Sequence, residues 1–257
     1  VREYVSRWCK RLSCDLFIRS YWKDLAWLEF CLSSINKYCY GFRAVVIVFP
    51  RSSKPWLRRF TLPGNVRIEF CHDYRDDYLG QQATKLLADR FTDADYICHV
   101  DSDCVFCRGT SPDNLMIAGR PRVLKRPYQL LGRYHPWRKP TERFLGWTVD
   151  DDFMQHPPFL FPRWIYPELR AHAVRVHGVD VETYIAGRPE REFSEYNALG
   201  ALAWARYRER FEWVDASTSP TGEPHCRWYW SWGGIDDSIR AEIHGILHAA
   251  DNQNERT

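Results

Sequence analysis

Two aspartates, Asp101 and Asp103, separated by one serine, close the apolar run of Tyr96, Ile97 and Val100, and Val105 and Phe106 resume it beyond them. A buried carboxylate is costly unless a cation or a hydrogen-bond donor compensates it. Two hard oxygen ligands one residue apart suit Mg²⁺ or Mn²⁺, held by few protein ligands and completed by water and phosphate oxygens. The same residues also open turns well, so the pair takes its meaning from the element that carries it.

That element is the fourth strand of an alternating pattern. Residues 15–20 are expected as a strand, and 24–38 as a helix with Leu25, Leu28, Leu32 and Ile35 on one face and Asp24 as its N-cap. Residues 43–50 form a near-continuous apolar strand stopped by Pro50, the pattern of a parallel strand covered on both faces. A third strand over 65–73 and a helix over 79–91 lead into "DYICHVDSD". Alternation of this kind predicts a doubly wound α/β sheet flanked by helices. Ligands of such sheets bind beyond the carboxyl ends of the strands. Asp101 and Asp103 fall at that edge, as do Ser20, Tyr21 and Trp22 after the first strand and His72 and Asp73 after the third.

The stretch "DADYICHVDSDCVF" after "QQATKLLADRF", together with the opening "DLFIRSYWKDLAWLEFCLSSI", resembles nucleotide-sugar glycosyltransferases of the GT-A fold over residues 13–107. The resemblance implies a mixed GT-A sheet and a divalent cation, Mn²⁺ or Mg²⁺, at Asp103. Asp101 would contact the donor ribose, or the cation through water. Ser20, Tyr21 and Asp73 would hold the nucleoside. Gln81 and Lys85, one turn apart on a helix, would reach the base or the phosphates, although Lys85 also fits a solvated surface position. Residues 1–107 become a nucleotide-sugar-binding half, 108–250 an irregular acceptor-binding half of the same domain, and 251–257 a polar tail.

In the second half, helices are expected from 166 to 177, ended by Gly178, and from 195 to 210, capped by Ser194; residues 211–217 form a strand. Glu195, first in its helix, complements the helix dipole. It also resembles the general base of inverting GT-A enzymes, which deprotonates an acceptor hydroxyl, with Glu192, Asp150, Asp151 and Asp152 as competitors. A retaining mechanism, which needs no such base, stays open. His225 resembles the histidine that completes many GT-A metal sites, and neutral imidazole suits Mn²⁺. Trp228, Trp230 and Trp232 alternate, so on a strand they share one face, to stack on an acceptor sugar or to cap the core.

Between Arg120 and Lys139 lie seven basic residues with no acidic one, interleaved with Tyr128, Tyr134, His135 and Trp137. This is a solvated loop, a lid over the donor diphosphate, or a seat for an anionic acceptor such as a phosphorylated lipid, an acidic polysaccharide or nucleic acid. A net charge of +3 on 257 residues argues against nucleic acid as the default partner. The longest apolar run, 44–49, is too short to span a membrane. Nine scattered cysteines with no visible secretory signal fit a reducing, cytoplasmic setting, and Cys104–Cys107 is two ligands short of a zinc site.

The expectation from these residues is a metal-dependent hexosyl- or pentosyltransferase that moves a sugar from a nucleotide-linked, uridine-type donor to a hydroxyl of a glycan or other acceptor. Three alternatives remain. One is a glycosyltransferase acting on modified nucleic acid. Another is a sugar-phosphate nucleotidyltransferase, against which the absence of glycine in "RSYWKDLAW" counts. The last is a non-catalytic carbohydrate- or nucleic-acid-binding module, which leaves the aspartate pair unexplained.

Overall fold

Strand β1 (Cys14–Arg19) is buried along its whole length, so it needs cover on both faces. A computed structural model of the protein, which describes residues 12–59, 64–132, 136–218 and 224–249, shows how that cover is built. Helix α1 (Leu25–Tyr38) follows, then the equally buried β2 (Val45–Pro50), β3 (Val66–Cys71), α2 (Asp77–Lys85) and β4 (Tyr96–His99). Beyond the aspartates come β5 (Cys104–Phe106), β6 (Met116–Ile117), β7 (Arg120–Pro127), α3 (Arg138–Leu145), β8 (Asp151–Asp152) and β9 (Phe159–Pro162). The remaining elements are α4 (Ile165–His177), α5 (Val181–Ala186), α6 (Glu195–Arg206), β10 (Glu212–Asp215), β11 (Cys226–Trp228) and α7 (Asp237–His248).

The main sheet has the order β3-β2-β1-β4-β9. Its first four strands are parallel and β9 runs antiparallel to β4. Alternate residues of each strand feed two cores. Leu16, Ile18, Ile47 and Cys98 pack with Leu28, Cys31 and Leu32 of α1. Phe17, Val46, Val48 and Ile97 pack with residues of α2, α4 and α6. The sheet is thus a mixed α/β sheet with helices on both faces. Successive strands move outward from β1 to β3, and β4 then returns to the other side of β1. That reversal makes the carboxyl ends of β1 and β4 the switch point at which such sheets bind ligands.

Most expected elements form in both halves, including the helix closed by Gly178, the Ser194 cap and the strand after 211, but some of their ends move. The helix expected over 79–91 ends at Lys85, and a separate turn covers Ala88–Arg90. The helix expected to reach 210 ends at Arg206. The basic stretch begins as a strand: β7 pairs in parallel with β10 and antiparallel with β6 and β8. Pro121 and Val123 are buried on it, and of its basic residues only Arg120 is exposed, while Arg122, Lys125 and Arg126 are half-buried. Helix α7 had no place in the sequence reading, yet Ile243 is fully buried near Trp27 of α1. Helix α6 comes so close to Phe153 that a Cβ on Gly200 would collide with that side chain. Residues 1–11, Arg133, Tyr134, His135 and the tail 251–257 lie outside the described residues. Among the described residues no helix is long and apolar enough to cross a membrane.

Candidate active site

Asp101 and Asp103 leave β4 at the crevice, in a turn closed by the Cys104 N–H to the Asp101 carbonyl. Asp103 is 8% exposed. Its Oδ2 accepts from the Ser231 N–H at 2.9 Å, while its Oδ1 is buried with no hydrogen-bond partner among the described residues. Burial, and then the charge of Asp101, push the Asp103 carboxyl up to about 8.

Lys85 comes to Asp101 from the last turn of α2. Its ammonium lies 2.6 Å from Asp101 Oδ1 and 2.8 Å from Glu195 Oε1. The Tyr196 ring centroid is 4.9 Å away. Lys85 is 3% exposed, so it is no surface lysine. Burial acts to lower its pKa, but the two carboxylates outweigh burial and the net shift is upward. Glu195 reaches this junction because Ser194 caps α6: its hydroxyl accepts from the Asn197 N–H and orients the first turn toward the sheet. Tyr196 stacks on Phe159 at 3.9 Å. His99 lies beneath, with Nε2 2.5 Å from the Tyr166 hydroxyl; burial, then the Lys85 charge, hold it well below the usual histidine range and so neutral.

Asp24 belongs to the site although its position pointed to helix capping. It makes no side-chain cap to α1. The Ser102 hydroxyl donates to its Oδ2 at 3.5 Å instead. Burial pushes its carboxyl up to about 6; Asp77 and Asp101 add to this and the Ser102 hydrogen bond opposes it. Arg19 lies buried nearby, but its guanidinium is committed to Asp77. Asp101 and Glu195 therefore share one contacting cation, Lys85, while Asp24 and Asp103 feel the charge of Asp101 without touching that cation. The carboxylate oxygens and the orphaned Asp103 Oδ1 fit a hard divalent cation. Among the described residues no three His, Cys, Asp or Glu side chains converge as a ready-made cage, so such an ion would draw its other ligands from water or substrate.

The remaining donor-side candidates are spread along the carboxyl edge. Ser20 is buried with an unpartnered hydroxyl, and Tyr21 is half-buried. Asp73 is exposed and accepts from the Ser52 N–H at 2.9 Å, tying the end of β3 to that of β2. Three strand spacings, roughly 14 Å, separate β3 from β4, so Asp73 does not join the aspartate pair. Gln81 is half-buried and makes no side-chain hydrogen bond among the described residues; its neighbour Gln82 is buried with an unpartnered Oε1. Trp56, absent from the sequence reading, stacks on Trp22 at 4.5 Å with 55% of its surface exposed. Its place in the basic turn Arg51–Arg59, just after β2, was the available signal.

His225 is not at the aspartates. β11 pairs antiparallel with β5, with Trp228 opposite Cys104 and Cys226 opposite Phe106. That register brings Tyr229 and Ser231 to Asp103 and carries His225 to the far end, where its carbonyl accepts from the Cys107 N–H. Its Nδ1 lies 2.9 Å from the Thr110 hydroxyl. The three tryptophans do not share a strand face either, because β11 ends at Trp228. Trp230 stacks on Trp228 at 5.3 Å, and Trp232 sits on a turn, 82% exposed.

The competing carboxylates are engaged elsewhere: Glu192 with Arg143, Asp150 with Arg138, Asp151 with Lys125, and Asp152 with Gln155. Cys104 is buried in the core, and the Cys107 thiol faces the Pro224 carbonyl at 3.3 Å. A scan against protein-family models and a search of curated proteins both return no match for the chain.

Proposed function

We propose that this chain is a metal-dependent glycosyltransferase that moves a sugar from a nucleotide-linked donor to an acceptor hydroxyl with inversion. The observation that carries the reading is the junction of Asp101, Lys85 and Glu195 beside the unpaired Asp103 Oδ1, at the carboxyl edge where the strand order reverses. Asp103 and Asp101, with Asp24 beside them, would hold Mn²⁺ or Mg²⁺. When bound, the ion supplies positive charge that offsets the departing diphosphate.

The chain's own groups carry the rest. Glu195 takes the proton of the acceptor hydroxyl as its oxygen attacks the anomeric carbon, opposite the leaving nucleoside diphosphate. Lys85 compensates Asp101 and Glu195 together, which ties the proposed metal-site carboxylate and the base to one cation. The Ser20 hydroxyl donates to the nucleoside. The Trp228–Trp230 stack offers an aromatic face to an acceptor sugar.

Calorimetric titration of nucleoside diphosphates with and without Mn²⁺, on the wild type and Asp103→Asn, tests the reading. Tight binding of one nucleotide that requires both the metal and Asp103 is expected, with the uridine nucleotide preferred. Metal-independent binding, or none, would overturn it in favour of a binding module.

A further inference from the structure

Between β7 and β9 lies a cavity of about 90 Å³, separate from the aspartate crevice. Leu124, Phe159 and Phe161 line it on the apolar side, and Arg122, His156 and His225 on the polar side. No carboxylate is among its described lining residues. Arg122 is half-buried, and its side chain forms no ion pair or hydrogen bond among the described residues. Its register partner on β10 is Glu212, but that carboxylate is taken by Arg120. Burial and the charge of Arg108 both act to lower the Arg122 pKa. Burial, then Arg122 and Arg108, push His225 down to about 4.

One guanidinium, that of Arg122, thus lies half-buried at a cavity whose described lining residues include no carboxylate. A guanidinium so placed favours an oxyanion, which it can meet with two parallel N–H donors. A cavity of about 90 Å³ has room for one oxyanion group. Its phenylalanine wall suits a carbon skeleton attached to that group.

We propose that the cleft between β7 and β9 is an anion-binding site, in which Arg122, with His225 beside it, takes the phosphate or carboxylate group of a small ligand whose carbon body rests on Phe159 and Phe161. His225 immediately precedes β11 and Trp228 ends it, roughly 10 Å away along the strand, so this site is distinct from the aspartate pair. It does not depend on the reaction proposed above.

Histidine-ring NMR of the full chain tests it, with sodium sulfate titrated at constant ionic strength and acetate in a parallel series. Sulfate should shift the His225 and His156 ring signals saturably in the low millimolar range and leave those of His172 and His177 unmoved. Arg122→Gln should weaken this at least about tenfold, and Arg122→Lys, which keeps the charge but not the fork, should weaken it less. Tighter saturation by acetate than by sulfate would assign a carboxylate ligand; the reverse would assign a phosphate. A non-saturating drift common to all histidines, or saturation that survives Arg122→Gln, would overturn the proposal.

Discussion

Lys85 and Glu195 lie 110 residues apart in the chain and meet at 2.8 Å. The same ammonium also reaches Asp101, so one lysine ties the end of a sheet strand to the start of a helix from the other half. Neither carboxylate is compensated by any other described cation at contact distance. Fold and candidate chemistry thus converge on a single side chain.

Replacing that side chain should be expensive. Lys85→Met leaves two carboxylates in a buried place without their cation, and we expect about 3–5 kcal/mol of destabilisation in urea unfolding. Adding Glu195→Gln to Lys85→Met should recover part of the loss, because one stranded charge is then removed. A double variant no more stable than the single one would show that the ion pair is not what holds this junction.

Stability should fall with rising pH in the absence of divalent cations. Asp24 and Asp103 titrate at about 6 and about 8 in the folded protein, against 3.8 as the ordinary value. Between these limits the folded state binds more protons than the unfolded state, so stability declines as pH rises and levels off above about 8. Asp103→Asn should flatten the upper part of the decline. Mn²⁺ should stabilise the wild type more at alkaline than at acidic pH, because protons compete for the same oxygens. Urea midpoints across the range, with and without the metal, measure each of these slopes.

Glu195→Gln should lower turnover by about 10²–10⁴-fold with little change in donor affinity, as expected for loss of a general base. Single-turnover kinetics alongside donor titration separates the two quantities. A drop of only a few fold would move proton removal to another group or favour retention.

His225→Ala should leave metal-dependent nucleotide binding unchanged, since the β11 register carries that residue away from the aspartates. Ser231→Pro removes the N–H that Asp103 Oδ2 accepts and should weaken metal dependence. Opposite results in the two variants would place the C-terminal ligand at His225 after all.

Much of this arrangement was legible from local pattern. The buried strands 14–19 and 45–50, the helix ended by Gly178 at φ 70°, the Ser194 cap and the aspartates at a strand end all follow from a few neighbouring residues. Hydrophobic period and capping chemistry act over one or two turns, so the chain states them directly. Strand β7 was hidden because half-buried charged residues sit beside Pro121 and Val123, so no clean apolar alternation shows. Helix α7 carried readable signals, the Asp236 cap and the spacing of Ile239, Ile243 and Leu247, but its partner surface is α1, some two hundred positions earlier.

Local pattern marks residues able to do chemistry and the strand end that carries two of them. Which of them meet depends on packing between distant segments. That packing turned Asp24 from a helix cap toward Ser102, buried Lys85 between Asp101 and Glu195, and sent His225 to a separate cavity. The reason is physical. A local element depends on contacts within a few residues, whereas each of these placements depends on strand register and helix packing between segments some 78 to 115 positions apart, on which local spacing has no bearing.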